Sequence, residues 1–104
     1  MIWNEHTFVV CAYGESPYLE TCIRSLLGQK LKSRIVMATS TPNDQILRLA
    51  DKYGLSLSVR DGESSLAADW NFAYGQAKTN YVTLAHQDDV YGASYTQKVN
   101  KAAK

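Results

Sequence analysis

The sequence predicts an α/β fold in which a four-stranded parallel sheet is flanked by helices. Strand and helix signals alternate four times along 104 residues, in the order βαβαβαβα. Strands that alternate with crossover helices form parallel sheets with right-handed connections. Hydrophobic residues make up 45% of the chain and charged residues 20%, which is typical of a globular protein with a modest core. We therefore expect a single domain over residues 1–104.

The first half of the chain contains two strands and two helices. Residues 7–13 (TFVVCAY) form a short β-branched run of the kind buried on both faces of a parallel sheet. Ser16 and Pro17 predict the cap and the first position of a helix. Residues 34–39 form the second strand, and residues 41–44 supply a cap, a proline and an acidic first turn. The predicted apolar stripes are Leu19, Cys22, Ile23, Leu26 and Leu27, then Ile46, Leu47, Ala50 and Tyr53, with Gly54 as the residue after the helix.

The second half repeats the alternation. Residues 55–60 alternate with period two, which is typical of a strand near an edge. Either Ser64 or Ser65 caps the third helix, and the apolar run that starts at Tyr81 is the fourth strand. The third helix has the stripe Leu66, Ala67, Trp70, Ala73, Tyr74 and Ala77, with Trp70 in the core, and a last helix carries Tyr91, Tyr95, Val99 and Ala102.

The charges are scattered and sum to +1, and the densest basic group is Lys30, Lys32 and Arg34. That group is too small for a nucleic-acid footprint, so nucleic acid is not an expected partner. No apolar run approaches the roughly 18 residues of a membrane span, and the N-terminus lacks the features of a signal peptide. Cys11 and Cys22 are expected to be buried, reduced thiols of a cytoplasmic protein, with a disulfide or a metal pair as the alternative.

Polar residues follow each predicted strand: Gly14-Glu15, Ser40-Thr41, Asp61-Gly62-Glu63 and Gln87-Asp88-Asp89. Ligands of open parallel sheets bind beyond the carboxyl ends of the strands, so all four groups lie at the ligand edge. Two adjacent carboxylates repel each other unless a cation, a proton or solvent screens them. Asp88 and Asp89 therefore indicate a binding site, with a solvated turn or a cap for the helix near Tyr95 as the alternative.

The positions of glycine and acidic residues exclude several nucleotide-binding folds. A dinucleotide fold needs G-x-G-x-x-G after the first strand, where this chain has only Gly14 in AYGESPYLE. No P-loop run is present. Phosphorelay receivers and haloacid-dehalogenase-like phosphatases place their acidic group after the first strand, which here ends without an aspartate. What remains is an acidic group after the fourth strand, beside Tyr13, Gly14 and Glu15.

Two stretches resemble a known family. FVVCAYGESPYLETCIRSLLGQ is similar to the opening of family-two glycosyltransferases, an apolar strand, Y-N-E and a helix reading L-x-x-x-L-x-S-L-x-x-Q. SSLAADWNFAYGQAKTNYVTLAHQDDVY resembles their third helix and the strand that ends in the D-x-D motif. The resemblance spans roughly residues 7 to 95, with the pieces in the family's order and spacing.

This resemblance implies the first part of the GT-A fold, with sheet order 3-2-1-4, and a nucleotide-diphosphate sugar bound with Mg²⁺ or Mn²⁺. A divalent metal held by one or two carboxylates can bridge both phosphates and stabilise the leaving diphosphate. The resemblance places that metal on Asp89 and Asp88. His86, a lone histidine at a strand end, is expected to pack or to form hydrogen bonds, with metal ligation as the alternative. The donor-binding residues that it implies are Ala12, Tyr13, Glu15, Thr39, Ser40, Asn71, Gln87 and Asp88.

The chain departs from the family pattern in three places. The segment after the second strand, MATSTPND, has hydroxyls where family members often carry acidic residues that recognise uridine. His86 or Gln87, according to the alignment, replaces the first acid of D-x-D. The arginine often present in the third helix is Trp70 here, so a cation near the diphosphate is absent or is supplied by Arg60.

The resemblance implies that the acceptor-binding half and the general base lie beyond the metal motif, and since no acidic residue follows Asp89, the base is expected beyond residue 104. We therefore expect the donor-binding half of a glycosyltransferase that acts on an acceptor saccharide or lipid-linked saccharide in surface polysaccharide synthesis. This half alone is expected to be inactive. The alternative is a non-catalytic nucleotide-binding or protein-interaction module with the same sheet. An exposed fourth strand also predicts a homodimer that pairs through that edge.

Overall fold

A computed structural model describes residues 2–63 and 65–103, and it has the predicted alternation of strands and helices. The strands form one parallel sheet in the order β3-β2-β1-β4, which confirms the predicted order 3-2-1-4. No described helix combines the length and apolar composition that are needed to span a membrane. The elements are β1 (Ile2–Cys11), α1 (Leu19–Leu27), β2 (Lys32–Thr39), α2 (Asp44–Lys52), β3 (Ser56–Val59), α3 (Leu66–Gly75), β4 (Tyr81–His86) and α4 (Tyr95–Ala102).

The strand register brings the ends of three strands level. Cys11, the last residue of β1, pairs with Ala38 of β2 and with His86 of β4. Because all the strands are parallel, the loops that follow β1, β2 and β4 start at the same edge of the sheet. The predicted ligand edge is therefore built from these loops.

The helices cover both faces of the sheet, so the part of β1 from His6 to Cys11 is buried on both sides. Phe8 and Val10 of β1 pack against the face covered by α1, α2 and α4. Val9 and Cys11 alternate with them and pack on the opposite face, where Ala73 of α3 contacts the sheet. This alternation is the period of two that a strand imposes on its side chains.

The predicted helix starts are corrected in two places. α1 begins at Leu19 after Tyr18, so Ser16 lies in the preceding loop and is not the cap that its sequence context predicts. α2 begins at Asp44, and its cap is Asn43, whose side chain accepts a 2.9 Å hydrogen bond from the Ile46 amide, in place of the predicted Thr41. In both cases the proline falls before the helix and not at its first position.

Helix α3 has a different inner face from the one its sequence predicts. Ser65 is its cap, and the alternative, Ser64, lies outside the described residues. Asp69 and Ala73 are buried, whereas Leu66, Trp70 and Tyr74 are 65%, 37% and 65% exposed. The reason is the ion pair between Asp69 and Arg60, which turns a charged residue inward and moves the apolar stripe outward. Leu27 of α1 and Leu47 of α2 were also predicted to be inside and are exposed.

His6 is the one fully buried histidine of the described residues and lies inside β1. Its two ring nitrogens hydrogen-bond the hydroxyls of Ser33 and Thr83, each at 2.8 Å, and Trp3 stacks on the ring with centroids 4.9 Å apart. Burial lowers the pKa of His6 below its ordinary 6.5, so the folded protein holds this ring in its neutral form.

We expect acidification to destabilise the protein through His6. The unfolded chain takes up a proton near pH 6.5 and the folded chain only at lower pH, so the stabilisation is complete above that value. It is lost as the pH falls through the folded-state pKa, with a slope of up to about 1.4 kcal/mol per pH unit. Urea unfolding between pH 7.5 and 5 should show a steeper loss for the wild type than for His6→Gln. His86→Gln, at an exposed histidine, is the control, and equal slopes in all three proteins would contradict the assignment.

Candidate functional site

The two predicted carboxylates lie in a tight turn at the end of β4. The Asp89 amide donates a 3.0 Å hydrogen bond to the His86 carbonyl, which closes the turn around Gln87 and Asp88. Both carboxylates are exposed at the carboxyl edge of the sheet. Asp88 is held in place because the Ser16 hydroxyl donates a 2.8 Å hydrogen bond to its Oδ1.

Buried groups beneath the turn experience its negative charge. Cys22 of α1 donates through its thiol to the His86 carbonyl at 3.3 Å. Burial, and after it the charges of Asp89 and Asp88, raises the pKa of the Cys22 thiol to about 12. Burial and then Asp89 likewise raise the pKa of the Tyr91 phenol to about 12. The turn is therefore a local concentration of negative charge, which a cation would neutralise.

The loop between β1 and α1 (residues 12–18, hereafter the β1–α1 loop) lies beside this turn, and side chains from other loops hold its backbone. Gln87 accepts from the Tyr13 amide at 3.1 Å and donates to the Tyr13 carbonyl at 2.8 Å. Thr41 accepts from the Gly14 amide at 2.7 Å, and Asn43 donates to the Gly14 carbonyl at 2.8 Å. Gly14 has a φ of +56°, a conformation that glycine adopts without strain.

Gln45 is the fourth side chain that bonds the backbone of the β1–α1 loop. Its side-chain oxygen accepts from the Ser16 amide at 3.0 Å, and its nitrogen donates to the Ser16 carbonyl at 2.6 Å. We call Thr41, Asn43, Gln45 and Gln87 the loop-holding side chains, because each one bonds the backbone of the β1–α1 loop. Backbone groups that would otherwise need water are thereby satisfied by protein.

The structure places the predicted donor-binding residues at different depths. Ala12 and Thr39 are buried, and the Thr39 hydroxyl accepts from the Thr41 amide at 3.0 Å. Direct contact of these two residues with a donor stays a prediction. Ser40 differs from them because its Oγ is buried and has no hydrogen-bond partner among the described residues. A hydroxyl in that state costs free energy, which a bound polar group would recover.

The other predicted residues lie nearer the surface. Glu15 is exposed at the tip of the β1–α1 loop, and Asn71 is exposed on α3. Tyr13 is half-buried against the α3 face, and burial raises the pKa of its phenol. The amide of Gln87 already bonds the Tyr13 backbone, so its direct contact with a donor stays a prediction.

Arg60 is held by protein groups at the same edge. Its Nε donates to Asp69 at 2.9 Å, and its terminal nitrogens donate to the carbonyls of Asp61 and Glu63. The guanidinium thus shapes the loop between β3 and α3. Trp70 of α3 lies beside His86, with ring centroids 5.4 Å apart, so an aromatic pair borders the turn instead of a cation.

The donor set of the turn suits a hard divalent metal. Among the described residues, no three His, Cys, Asp or Glu side chains gather into a metal-binding group. Mg²⁺ commonly uses only one or two protein carboxylates and takes its other ligands from substrate phosphates and water. Asp88 and Asp89 supply oxygen ligands of that type, so the residues present fit such a metal.

The sequence does not predict Ser16, Asn43 or Gln45 as part of the site, and it predicts Thr41 only as one of the polar residues at the ligand edge. Ser16 was interpreted as a helix cap, and Thr41 and Asn43 as the start of the next helix. Gln45 carries no sequence signal beyond its position shortly after β2, at the ligand edge. These roles depend on contacts between residues 27 to 72 positions apart in the chain, which no local pattern encodes.

Residues 7–104 match the family model described as Glycosyl transferase family 2. The chain belongs to that family. Among solved structures it resembles S. aureus TarS 1-349, with a TM-score of 0.78, 22% identity and coverage of 93% of this chain and 31% of that one. A second structure of S. aureus TarS has a TM-score of 0.76 and 22% identity, with coverage of 93% of this chain and 19% of that one. The chain therefore spans less than a third of either matched structure, and these likenesses confirm the GT-A fold. No curated protein sequence matches the chain.

We expect Arg60→Met to destabilise the protein by about 2–3 kcal/mol. The substitution removes the guanidinium from beside a carboxylate that is only 5% exposed, and the loss of one partner of a buried pair is costly. Lys52→Met is the matched control, because its ion pair with Glu20 is exposed to solvent and contributes little to stability. Urea unfolding of both variants measures the difference, and equal losses would contradict the buried-pair interpretation.

Proposed function

We propose that this chain is the donor-binding part of a metal-dependent glycosyltransferase. The full enzyme would transfer a sugar from a nucleotide-diphosphate sugar to an acceptor hydroxyl, in a saccharide or lipid-linked saccharide of a surface polysaccharide. Family membership supports the transferase chemistry and a nucleotide-sugar donor. The observation that carries the proposal is the exposed pair of carboxylates in the turn after β4, beside a loop whose backbone is already held by side chains.

In this proposal Asp89 and the free oxygen of Asp88 bind Mg²⁺ or Mn²⁺. The metal, when bound, would supply positive charge that stabilises the donor diphosphate as the sugar departs. Ser16 keeps Oδ1 of Asp88 engaged, so the Asp88 carboxylate is oriented before the metal arrives. Fixed groups of this kind need no reorganisation when the ligand binds.

The nucleoside is proposed to lie along the loops after β1 and β2. Glu15 and Tyr13 would border it on one side, and the unpartnered Ser40 hydroxyl could donate to or accept from a base edge. Asn71 of α3 is proposed to bond the donor from the other side of the sheet edge. Trp70 and His86 give this part of the site an aromatic border.

Two further expectations belong to this proposal. β4 is an edge strand of the sheet, so pairing of two copies through it stays a prediction. A cytoplasmic location is also proposed, and the two cysteines of the chain, both buried and free of disulfide bonds, are consistent with it.

Thermal unfolding with a panel of nucleoside diphosphates, each with and without Mn²⁺, tests the proposal. A ligand that binds only the folded state at 100 times its Kd adds about 2.7 kcal/mol. In a domain of this size that shifts Tm by roughly 4–8 °C for each kcal/mol. We expect one nucleotide to raise Tm only when Mn²⁺ is present, and Asp89→Asn to abolish the shift. Asp51→Asn, at an exposed carboxylate of α2, is the matched control and should keep it.

The same panel separates the proposal from its alternative. A nucleotide that raises Tm equally with and without Mn²⁺, and equally in Asp89→Asn, would favour the non-catalytic nucleotide-binding module. The absence of any nucleotide-dependent shift would rule out donor binding by this chain.

A further inference from the structure

Gln45 connects the loop after β2 to the turn that carries the carboxylates. Its amide makes two hydrogen bonds to the same residue, accepting from the Ser16 amide at 3.0 Å and donating to the Ser16 carbonyl at 2.6 Å. Such a two-point contact defines both the distance and the rotation of the bonded peptide groups. Gln45 is half-buried and belongs to the first turn of α2, a packed helix, so it is itself held firmly.

Ser16 transmits this contact to the carboxylate turn. The residue is only 4% exposed, and its hydroxyl proton is directed to Oδ1 of Asp88 at 2.8 Å. The same hydroxyl oxygen accepts from the Tyr18 amide at 3.2 Å, which leaves the proton for Asp88. Ser16 therefore connects Gln45 to Asp88, because its backbone bonds Gln45 and its hydroxyl bonds Asp88.

The other loop-holding side chains do not reach Ser16. Thr41 and Asn43 bond Gly14, and Gln87 bonds Tyr13. Among the described residues, Gln45 is the only side chain that hydrogen-bonds the Ser16 backbone, whose carbonyl otherwise receives a longer bond of 3.4 Å from the Leu19 amide.

We infer that Gln45 is a positioning residue for the metal ligand Asp88. The inference rests on the proposed function, because it concerns the cation that Asp88 would bind. Gln45 sets the place of Ser16, and Ser16 sets the rotation of the Asp88 carboxylate, so that Asp88 presents its second oxygen and Asp89 lies next to it. The loop after β2, which carries no acid before Asp44, thus contributes to metal binding without touching the metal.

Broadening of backbone amide resonances by Mn²⁺ alone tests this inference. Mn²⁺ broadens signals near the place where it binds, so the signals of Gln87 to Asp89 report the site even when affinity is weak. We expect Gln45→Met to raise the Mn²⁺ concentration for half-maximal broadening about threefold to tenfold. Loss of a group that directly holds a metal ligand typically lowers metal affinity about 10- to 100-fold, and Gln45 acts one residue further away. Gln45→Asn keeps the amide but is one methylene too short, and should act in the same direction if Gln45→Met fails to fold.

Gln76→Met is the control for a merely structural effect. Gln76 also donates to a backbone carbonyl, that of Phe72 at 3.0 Å, but lies at the end of α3. Its loss should lower stability and leave the Mn²⁺ titration unchanged. In a Ser16→Ala background, Gln45→Met should add no further loss of Mn²⁺ affinity, because the connection to Asp88 is already broken.

The outcomes distinguish the inference from the proposed function. If Mn²⁺ fails to broaden these amides in the wild type, the metal site is wrong, and both statements fall. Two results would refute the positioning role of Gln45 while the metal site stands. In the first, the wild type responds to Mn²⁺ and Gln45→Met gives the same titration. In the second, Gln45→Met lowers Mn²⁺ affinity as much in the Ser16→Ala background as in the wild type.

Discussion

β1 is hydrogen-bonded to β2 on one side and to β4 on the other, and helices cover both of its faces. Residues His6 to Cys11 of this strand are buried, so their backbone groups must find partners in the neighbouring strands. This requirement determines the register, and the register brings the last residues of β1, β2 and β4 to one level. The loops that follow are consequently close enough for short side chains to join them.

The alternation of elements and the ligand edge could be predicted from the sequence, because short β-branched runs and capped amphipathic helices are local signals. The sheet order came from the resemblance to the family, because no local signal defines which strands are neighbours. The inner face of α3 could not. Its apolar residues have a helical spacing, yet Asp69 lies inside because Arg60, nine positions earlier, neutralises it. An ion pair of this kind overrides the hydrophobic pattern, and only the folded arrangement reveals it.

The candidate site could likewise be predicted only in part. Two adjacent aspartates after a buried strand are conspicuous, since their repulsion requires a reason. The contacts of Ala12 and Thr39 with a donor are implied by the resemblance to the family, and the structure shows that both residues are buried at the strand ends. Gln87 was conspicuous beside the two aspartates, whereas Asn43 and Gln45 gave no signal of a role in the site, because asparagine and glutamine are common at the starts of helices and their partners lie far away in the chain.

The double role of the segment after β2 has a consequence for protein engineering. Asn43 caps α2 with its oxygen and holds Gly14 with its nitrogen, while Thr41 and Gln45 hold the residues on either side of Glu15. Grafting the acidic version of this segment from another family member, in order to change the nucleotide that is recognised, would exchange these three side chains together. Four hydrogen bonds to the β1–α1 loop would disappear with them, so a graft would need compensating changes in a loop that is distant in sequence.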